Sequence, residues 1–149
     1  MSTGEICNRE VVVVQPETTV LEAAKLMRQH HVGDLLVVED RGGMRIPVGI
    51  VTDRDLVVEV MATELSMDAI TVGDIMAPEL ATVREGAGIF EAIEYMRSKG
   101  VRRLPVVSEI GVLAGILTLD DLLELLAEEM LSLSRLVKYE QRKEMASRR

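Results

Sequence analysis

Aliphatic and polar residues form short patterns along the first half of the chain, and each pattern predicts one element. A β-branched run at residues 11–14 is followed by Gln-Pro, which is typical of a strand closed by a turn. Apolar side chains then recur at helical spacing through residues 20–27, and Thr18 and Thr19 are candidate N-caps. Residues 30–33 end this predicted helix. The pattern thus opens with a strand and an amphipathic helix.

Two further aliphatic runs, residues 35–38 and 48–51, predict a pair of strands. Gly42 and Gly43 lie between them and supply the turn. A helix is predicted from about Asp53, because acidic residues in a first helical turn are favoured by the helix dipole. The order of elements is therefore strand, helix, strand, strand, helix.

The second half of the chain repeats this pattern. Residues 49–55 and 115–121 both read Gly, two aliphatic residues, Thr, two residues and Asp. A shift of 69 positions aligns residues 20–23 with residues 89–92, and the shift falls to 66 at the repeated motif. The three missing residues lie in the turn region 40–46, where loops absorb length changes at small cost. The repeat predicts strands at 80–83, 104–107 and 112–117, helices at 89–98 and from about 119, and a linker at 66–72.

The predicted elements also indicate how the two copies pack. The strands are continuous aliphatic runs, which indicates burial on both faces, and the amphipathic helices would cover the sheets. A duplicated unit of this kind packs against its twin with pseudo-twofold symmetry and leaves clefts between the copies. Because pockets form at such interfaces more often than inside a core, the clefts are the predicted binding sites.

Composition narrows the classes of function. The chain has 149 residues with 48% hydrophobic content, 2% aromatic content, no Trp and a net charge of −8. Few aromatic rings and a negative charge argue against general binding to nucleic acid or anionic membranes. No run of 18 apolar residues and no N-terminal leader is present, so we expect a cytoplasmic protein without a membrane segment. The single cysteine, Cys7, excludes an internal disulfide.

The sequence offers little support for catalysis. His30 and His31 are adjacent at the end of a predicted helix and point in different directions, which disfavours joint metal ligation. The chain has no nucleophile elbow, no P-loop and no Gly-x-Gly-x-x-Gly segment. We therefore expect a protein that is not an enzyme, requires no cofactor and has no metal site of its own.

Four segments carry a family resemblance. The paired motifs at residues 49–55 and 115–121, Thr-Val-Gly-Asp-Ile-Met at residues 71–76, and Val-Arg-Arg-Leu-Pro-Val-Val at residues 101–107 resemble the cystathionine beta-synthase (CBS) domain. Two such domains in tandem resemble a Bateman module, a regulatory unit also found in inosine monophosphate dehydrogenase and in the gamma subunit of the AMP-activated kinase. The resemblance covers about residues 5–128.

The resemblance implies an α+β (α/β-like) fold of two tandem β-α-β-β-α CBS repeats packed with pseudo-twofold symmetry, plus a long C-terminal helix. The expected divisions are repeat 1 at residues 1–68, repeat 2 at residues 69–130 and a helical extension at residues 131–149. The family further implies that adenosine-containing ligands bind in the clefts and that two chains form a disc-shaped dimer, head to head or head to tail.

The chemistry of the repeated motif is compatible with such a ligand. A Thr ends a strand and an Asp follows three residues later, so a carboxylate could accept hydrogen bonds from a ribose diol while a hydroxyl and helix amides bind a phosphate. The alternative is that Thr52 and Thr118 are helix caps and that Asp55 and Asp121 complement the helix dipole. Spacing alone leaves both alternatives open.

The resemblance also implies two sites, carried over residue by residue. Site A would consist of Thr52, Arg54, Asp55, Ala87, Ala92, Arg102, Arg103 and Pro105. Site B would consist of Thr18, Ala23, Gly33, Asp34, Leu35, Thr118, Asp120 and Asp121.

The two predicted sites differ in charge. Related modules place cationic residues against nucleotide phosphates at the positions of Arg102 and Arg103, and guanidinium groups suit that role. Site B has Gly33 and Asp34 there instead, and a carboxylate would repel a polyphosphate. We expect site B to hold adenosine or S-adenosylmethionine, or to stay empty, whereas AMP, ADP or ATP should prefer site A. A nucleotide can bring Mg²⁺ with it.

The C-terminal segment exceeds a minimal repeat. Apolar residues recur at three-to-four spacing from residue 122 to residue 137, and neither Pro nor Gly occurs from Asp120 to Arg149. We expect one long helix whose apolar stripe packs on a second subunit, because it extends beyond what one repeat covers. The end of this helix is basic, which complements the dipole at a helix C-terminus. The alternative is a tail that binds a partner protein or nucleic acid. The basic residues are Arg135, Lys138, Arg142, Lys143, Arg148 and Arg149.

The sequence thus predicts a homodimeric regulatory module that binds an adenosine-containing ligand and signals by conformational change to an unknown effector protein. The alternative is a ligand-free interaction module that serves for dimerisation. Thermal stability in the presence of ligand separates the two hypotheses.

Overall fold

The computed structural model describes residues 1–148. The chain divides into two compact units, residues 1–117 and the segment from Thr118 onward. The first unit contains both sheets apart from the last residue of the final strand, and the second unit is helical. None of the described helices is both long and apolar enough to cross a membrane.

The first repeat forms a three-stranded sheet. Its strands lie in the order β1 (Val13–Val14), β2 (Asp34–Arg41) and β3 (Met44–Thr52). Strand β1 is parallel to β2, and β2 is antiparallel to β3 with one register shift between Val37 and Val38. Gly42 and Gly43 at the hairpin have φ of 63° and 83°, which allows the tight turn that joins β2 to β3. The elements are α1 Thr3–Ile6, β1 Val13–Val14, α2 Val20–His30, β2 Asp34–Arg41, β3 Met44–Thr52, α3 Asp53–Asp55 and a π-helical segment Leu56–Met61.

The second repeat has the same organisation, with a sheet in the order β4-β5-β6 and β4 parallel to β5. The predicted order of elements is confirmed in both repeats. The elements are α4 Val72–Ile75, β4 Val83–Arg84, α5 Ile89–Lys99, β5 Arg103–Val107, β6 Leu113–Thr118 and α6 Leu119–Ser147. The predicted long C-terminal helix is α6, and its predicted last residue, Arg149, lies outside the described residues.

Several element boundaries differ from the predictions. The strands predicted at residues 11–14 and 80–83 are wrong in extent, because each forms only two ladder positions on a single neighbouring strand. The hairpin strands are longer than predicted, since the turn lets them pair as far as Arg41 and Met44. The helix predicted from Asp53 changes to π-helical geometry after one turn, and the predicted linker at residues 66–72 runs into the unpredicted turn α4. Neither of these features has a signal in the hydrophobic pattern.

The short helices α1 and α4 each pack on the other repeat. Thr3 and Val72 occupy equivalent positions in the two copies, and both are fully buried. The Thr3 hydroxyl donates to the Arg84 carbonyl at 2.7 Å. Each backbone hydrogen bond that α1 makes to the second repeat has an equivalent that α4 makes to the first repeat. These bonds are Thr3 N to Ala87 O at 2.8 Å, Gly4 N to Glu85 O at 2.9 Å, Val72 N to Thr18 O at 2.8 Å and Gly73 N to Pro16 O at 3.0 Å.

This exchange is the pseudo-twofold packing that the resemblance implied. Equivalent amides of α1 and α4 donate to equivalent carbonyls of the opposite repeat, so each of these short helices covers part of the other repeat. The region around Thr19 shows the same relation, since Thr19 bridges Thr71 and the equivalent Gly88 bridges Ser2. The two repeats up to Leu117 therefore share one compact unit.

The glycine that opens each repeated motif lies against the segment that follows α1 or α4. A Cβ at Gly115 would lie 2.6 Å from the Asn8 carbonyl oxygen and 2.7 Å from the Cys7 Sγ. A Cβ at the equivalent Gly49 would lie 2.5 Å from the Met76 Sδ. A backbone carbonyl occupies the space beside Gly115, whereas a flexible side chain occupies the space beside Gly49. Partial burial raises the pKa of the Cys7 thiol, against an opposing effect of the nearby Arg9 charge.

A candidate ligand-binding cleft

The repeated Thr and Asp form helix caps. Thr52 Oγ1 accepts from the Asp55 amide at 3.1 Å, and Asp55 Oδ2 accepts from the Thr52 amide at 2.9 Å, which is a complete capping box at the start of α3. Thr118 Oγ1 likewise accepts from the Asp121 amide at 3.1 Å at the start of α6. The helix-cap alternative therefore describes both threonines. A carboxylate has a second oxygen, so capping by Asp55 is compatible with binding a ligand.

Replacement of Asp55 should lower stability as well as any ligand affinity. We expect Asp55→Ala to cost about 1 kcal/mol of unfolding free energy, because the variant loses one half of the capping box. Asp55→Asn keeps an oxygen that can accept from the Thr52 amide and should cost less. Urea denaturation of the two variants and the wild type measures the difference. Equal stability of Asp55→Ala and the wild type would show that the capping box contributes nothing.

A cavity of about 260 Å³ lies between the end of the first repeat's sheet and the second repeat. It brings together Ile50 of β3, the segment at residues 77–81 that leads to β4, and residues 101–103 at the start of β5. We call this cavity the arginine cleft. Its lining residues are Ile50, Ala77, Glu79, Leu80, Ala81, Val101, Arg102 and Arg103.

Arg103 is already paired with a carboxylate. Arg103 Nε lies 3.2 Å from Asp34 Oδ1, and these side chains are 36% and 22% exposed. Asp34 and Arg103 are equivalent residues of the two repeats, so the pair lies where the pseudo-twofold relation brings corresponding positions together. The ion pair therefore joins a residue of the predicted site B, Asp34, to a residue of the predicted site A, Arg103. Because a guanidinium carries five N–H donors, an ion pair through Nε does not exhaust those of Arg103.

The remaining predicted residues of site A are dispersed. Arg54 is exposed one residue after the start of α3, and Ala92 is fully buried in α5. The Ala87 carbonyl accepts from Thr3 in the α1 exchange, and Pro105 is buried in β5. None of these four residues lines the arginine cleft. Thr52 and Asp55 lie two and five residues beyond its lining residue Ile50.

The predicted residues of site B fall in both units. Asp34 forms the ion pair with Arg103, and the Gly33 carbonyl accepts from the Asp53 amide at 2.9 Å. Thr18 Oγ1 accepts from the Gln15 amide at 3.2 Å. Ala23 and Leu35 are buried in the core of the first repeat. In the segment from Thr118 onward, Thr118 and Asp121 form the α6 cap and Asp120 is exposed in its first turn.

The lining residues that precede β4 were not predicted from the sequence. Glu79 adds a carboxylate to a cleft with two guanidinium groups, while Leu80 and Ala81 add apolar surface. The duplication contains a signal for them, because they follow α4 as Glu10 and its neighbours follow α1. Leu80 and Ala81 fall within the strand predicted at residues 80–83, whereas strand β4 begins only at Val83.

The equivalent positions in the other repeat are joined by backbone pairing. The Asn8 amide donates to the Ile116 carbonyl and the Ile116 amide donates to the Asn8 carbonyl, both at 2.9 Å. Asn8 and Ile116 correspond to Ala77 and Ile50, which line the arginine cleft. The two copies therefore differ in shape as well as in charge.

Comparison with known proteins relates this geometry to a family. A CBS-domain family model matches residues 4–62 and again residues 72–128. The chain belongs to the CBS-domain family. Its two domains lie in tandem, which makes it a CBS pair, a regulatory module.

The CBS pair is similar to proteins of archaea and bacteria. It is 38% identical over 124 residues to an uncharacterised protein of Methanopyrus kandleri, which is 83% of this chain and 62% of that protein. It is 34% identical to hypoxic response protein 1 of Mycobacterium tuberculosis, over 83% of this chain and 84% of that protein.

Solved structures share the fold. A crystal structure of Hypoxic Response Protein I with two coordinated zinc ions has a TM-score of 0.73 at 32% identity, covering 83% of this chain and 98% of that one. The CBS pair of protein MJ0100, in complex with 5′-methylthioadenosine and S-adenosyl-L-methionine, has a TM-score of 0.73 at 22% identity, covering 87% and 98%. Within residues 1–148 of this CBS pair, no three His, Cys, Asp or Glu side chains cluster as a metal site would require.

Proposed function

We propose that this CBS pair is a regulatory module that binds an adenosine-containing ligand in the arginine cleft. The observation that carries the proposal is the convergence of two guanidinium groups, one carboxylate and an apolar wall in one cavity between the repeats. Ligand sites are mostly apolar with a few polar groups that fix orientation, and this cleft has that composition.

The parts of a nucleotide have matching partners in the cleft. Ile50, Leu80 and Val101 offer apolar surface to the flat base. Glu79 can accept hydrogen bonds from an amino group or a ribose hydroxyl, and Arg102 with Arg103 can donate to a phosphate. At about 260 Å³ the cavity lies near the lower end of ligand sites, which span about 300–1,000 Å³. This size favours a mononucleotide, with any further phosphates extending towards solvent and bringing Mg²⁺.

A phosphate in the arginine cleft would compete with Asp34 for Arg103. Asp34 already neutralises part of that guanidinium charge at 3.2 Å, so an anionic ligand must share or displace the carboxylate. Loss of this pair loosens a contact between equivalent positions of the two repeats. In this proposal that rearrangement is the signal, and it passes to an effector protein without any chemical reaction.

The first-repeat residues of the second predicted site suit a ligand without phosphate. Gly33 and Asp34 stand there in place of the two arginines, which favours adenosine or the cationic S-adenosylmethionine over ATP. The structural relative MJ0100 holds 5′-methylthioadenosine and S-adenosylmethionine, neither of which carries a phosphate.

Thermal unfolding with AMP, ADP, ATP, adenosine and S-adenosylmethionine tests the proposal. A ligand at 100 times its dissociation constant should add about 2.7 kcal/mol of stability to a binding protein. Mass spectrometry of small molecules released from the purified protein provides an independent identification. If no adenosine compound stabilises the protein and none is released, the ligand-free interaction module is the better description. Release of a hydrolysed nucleotide during incubation would instead show an enzyme.

A further inference from the structure

The helix α6 has a long exposed segment. Every described residue from Ala127 onward is exposed, and large apolar side chains are among them. Met130 is 71% exposed and Leu133 is 63% exposed. In proteins most helical stability comes from packing of an apolar face, and the apolar side chains of this segment have no such packing within the chain. The exposed stripe consists of Leu123, Met130, Leu133 and Val137.

The charges along α6 are segregated. The half at residues 119–129 has five acidic residues and no basic one, whereas residues 130–148 have five basic residues and two acidic ones. The helix dipole favours such charges only within the first and last turns. Glu128, Glu129, Arg135 and Lys138 lie well inside the helix, so the dipole does not explain them.

We propose that α6 pairs in antiparallel orientation with α6 of a second copy of this chain. In that orientation the acidic half of each helix faces the basic half of its partner, while the apolar stripes meet between them. A parallel pair would place acid against acid and base against base, which costs energy. The charge pattern thus identifies both the occupant of the stripe and its direction.

The proposal deepens the homodimer that the sequence predicts for this regulatory module. An α6 pair about 44 Å long would join two modules independently of what binds in the arginine cleft. Calorimetric titration with AMP therefore separates the two proposals, because variants of α6 should retain the ligand affinity of the wild type.

The first experiment measures self-association by sedimentation. The variant Lys138→Glu with Arg142→Glu makes both halves of α6 acidic and should raise the dimer dissociation constant at least about tenfold in moderate salt. Lys25→Glu with Arg45→Glu changes the net charge equally on exposed residues outside α6 and is the matched control. Mixing the α6 variant with Glu124→Lys, Glu128→Lys protein should restore a dimer. A wild type that is monomeric at all concentrations, or an α6 variant that dimerises like the wild type, would overturn the proposal.

The second experiment measures direction with spin labels in a Cys7→Ser background. Labels at Ser134→Cys, near the middle of α6, should be within about 20 Å of each other in the dimer, and labels at Ser147→Cys should be more than about 35 Å apart. Short distances at both positions would indicate a parallel pair and overturn the proposal. Long distances at both would place the dimer contact on another surface and overturn it as well.

Discussion

AMP and ATP should bind roughly 30- to 800-fold more weakly to the variant Arg102→Ala, Arg103→Ala than to the wild type. The range corresponds to about 2–4 kcal/mol, the loss expected when two charge-assisted donors to a phosphate are removed together. Adenosine has no phosphate and should lose much less affinity. The effect on AMP should shrink as salt rises, because screening weakens the lost attraction. Isothermal titration calorimetry at two salt concentrations measures all three expectations.

Two comparison variants isolate the position of the charge. Arg28→Ala with Arg97→Ala removes two exposed arginines that do not line the cleft and should leave AMP affinity unchanged. Asp34→Asn removes the carboxylate that pairs with Arg103 and should strengthen AMP binding a few-fold. Equal losses for adenosine and ATP in the arginine variant, or equal occupancy of both clefts by ATP in a crystal, would contradict the hypothesis.

Gly115→Ala should destabilise the protein more than Asp55→Ala does. Its Cβ would lie 2.6 Å from the Asn8 carbonyl oxygen, which itself accepts from Ile116 at 2.9 Å, so backbone must move and the bridge must open. Overpacking of this kind costs about 1–3 kcal/mol. For a chain of this size we expect Tm to fall by roughly 5–10 °C. Differential scanning calorimetry measures the change.

The equivalent Gly49→Ala is the matched control. Its Cβ would meet the Met76 Sδ, the flexible part of a side chain that is only partly buried. Because methionine adapts its rotamer readily, we expect a clearly smaller loss than at Gly115. A loss at Gly49 as large as that at Gly115 would contradict the prediction, because the cost would then not depend on whether the added methyl group meets backbone or a flexible side chain.

The periodicity and repetition of the sequence were sufficient to predict the order of helices and strands. Val20 to Met27 follow helical spacing, and both copies contain the same order of aliphatic runs, so the elements and their duplication could be predicted. The resemblance to CBS domains then identified the pseudo-twofold arrangement, which the exchange of α1 and α4 confirms. The short turns themselves were missed, because four residues such as Thr3–Ile6 are too few to show a period.

The candidate site was harder to predict. Arg102 and Arg103 line the cleft as their position in the family pattern implied, but the pairing of Arg103 with Asp34 depends on how the two repeats meet. A linear alignment assigned those residues to different sites. Glu79 directly precedes the strand predicted at residues 80–83, and only tertiary packing shows that it lines a cavity. The assignment of each predicted residue to ligand binding stays a prediction.

The exchange of α1 has a consequence for synthesis on the ribosome. Thr3 bonds to a carbonyl 81 residues later in the chain, so α1 leaves the exit tunnel long before its partner has been made. At about 5–20 residues per second, the interval is roughly 4–16 s. During that time the Thr3 side chain and the surface of α1 that packs on the second repeat remain exposed. Chaperones have access to the nascent chain in this period. The speed of translation over these 81 residues therefore sets how long α1 lacks its partner.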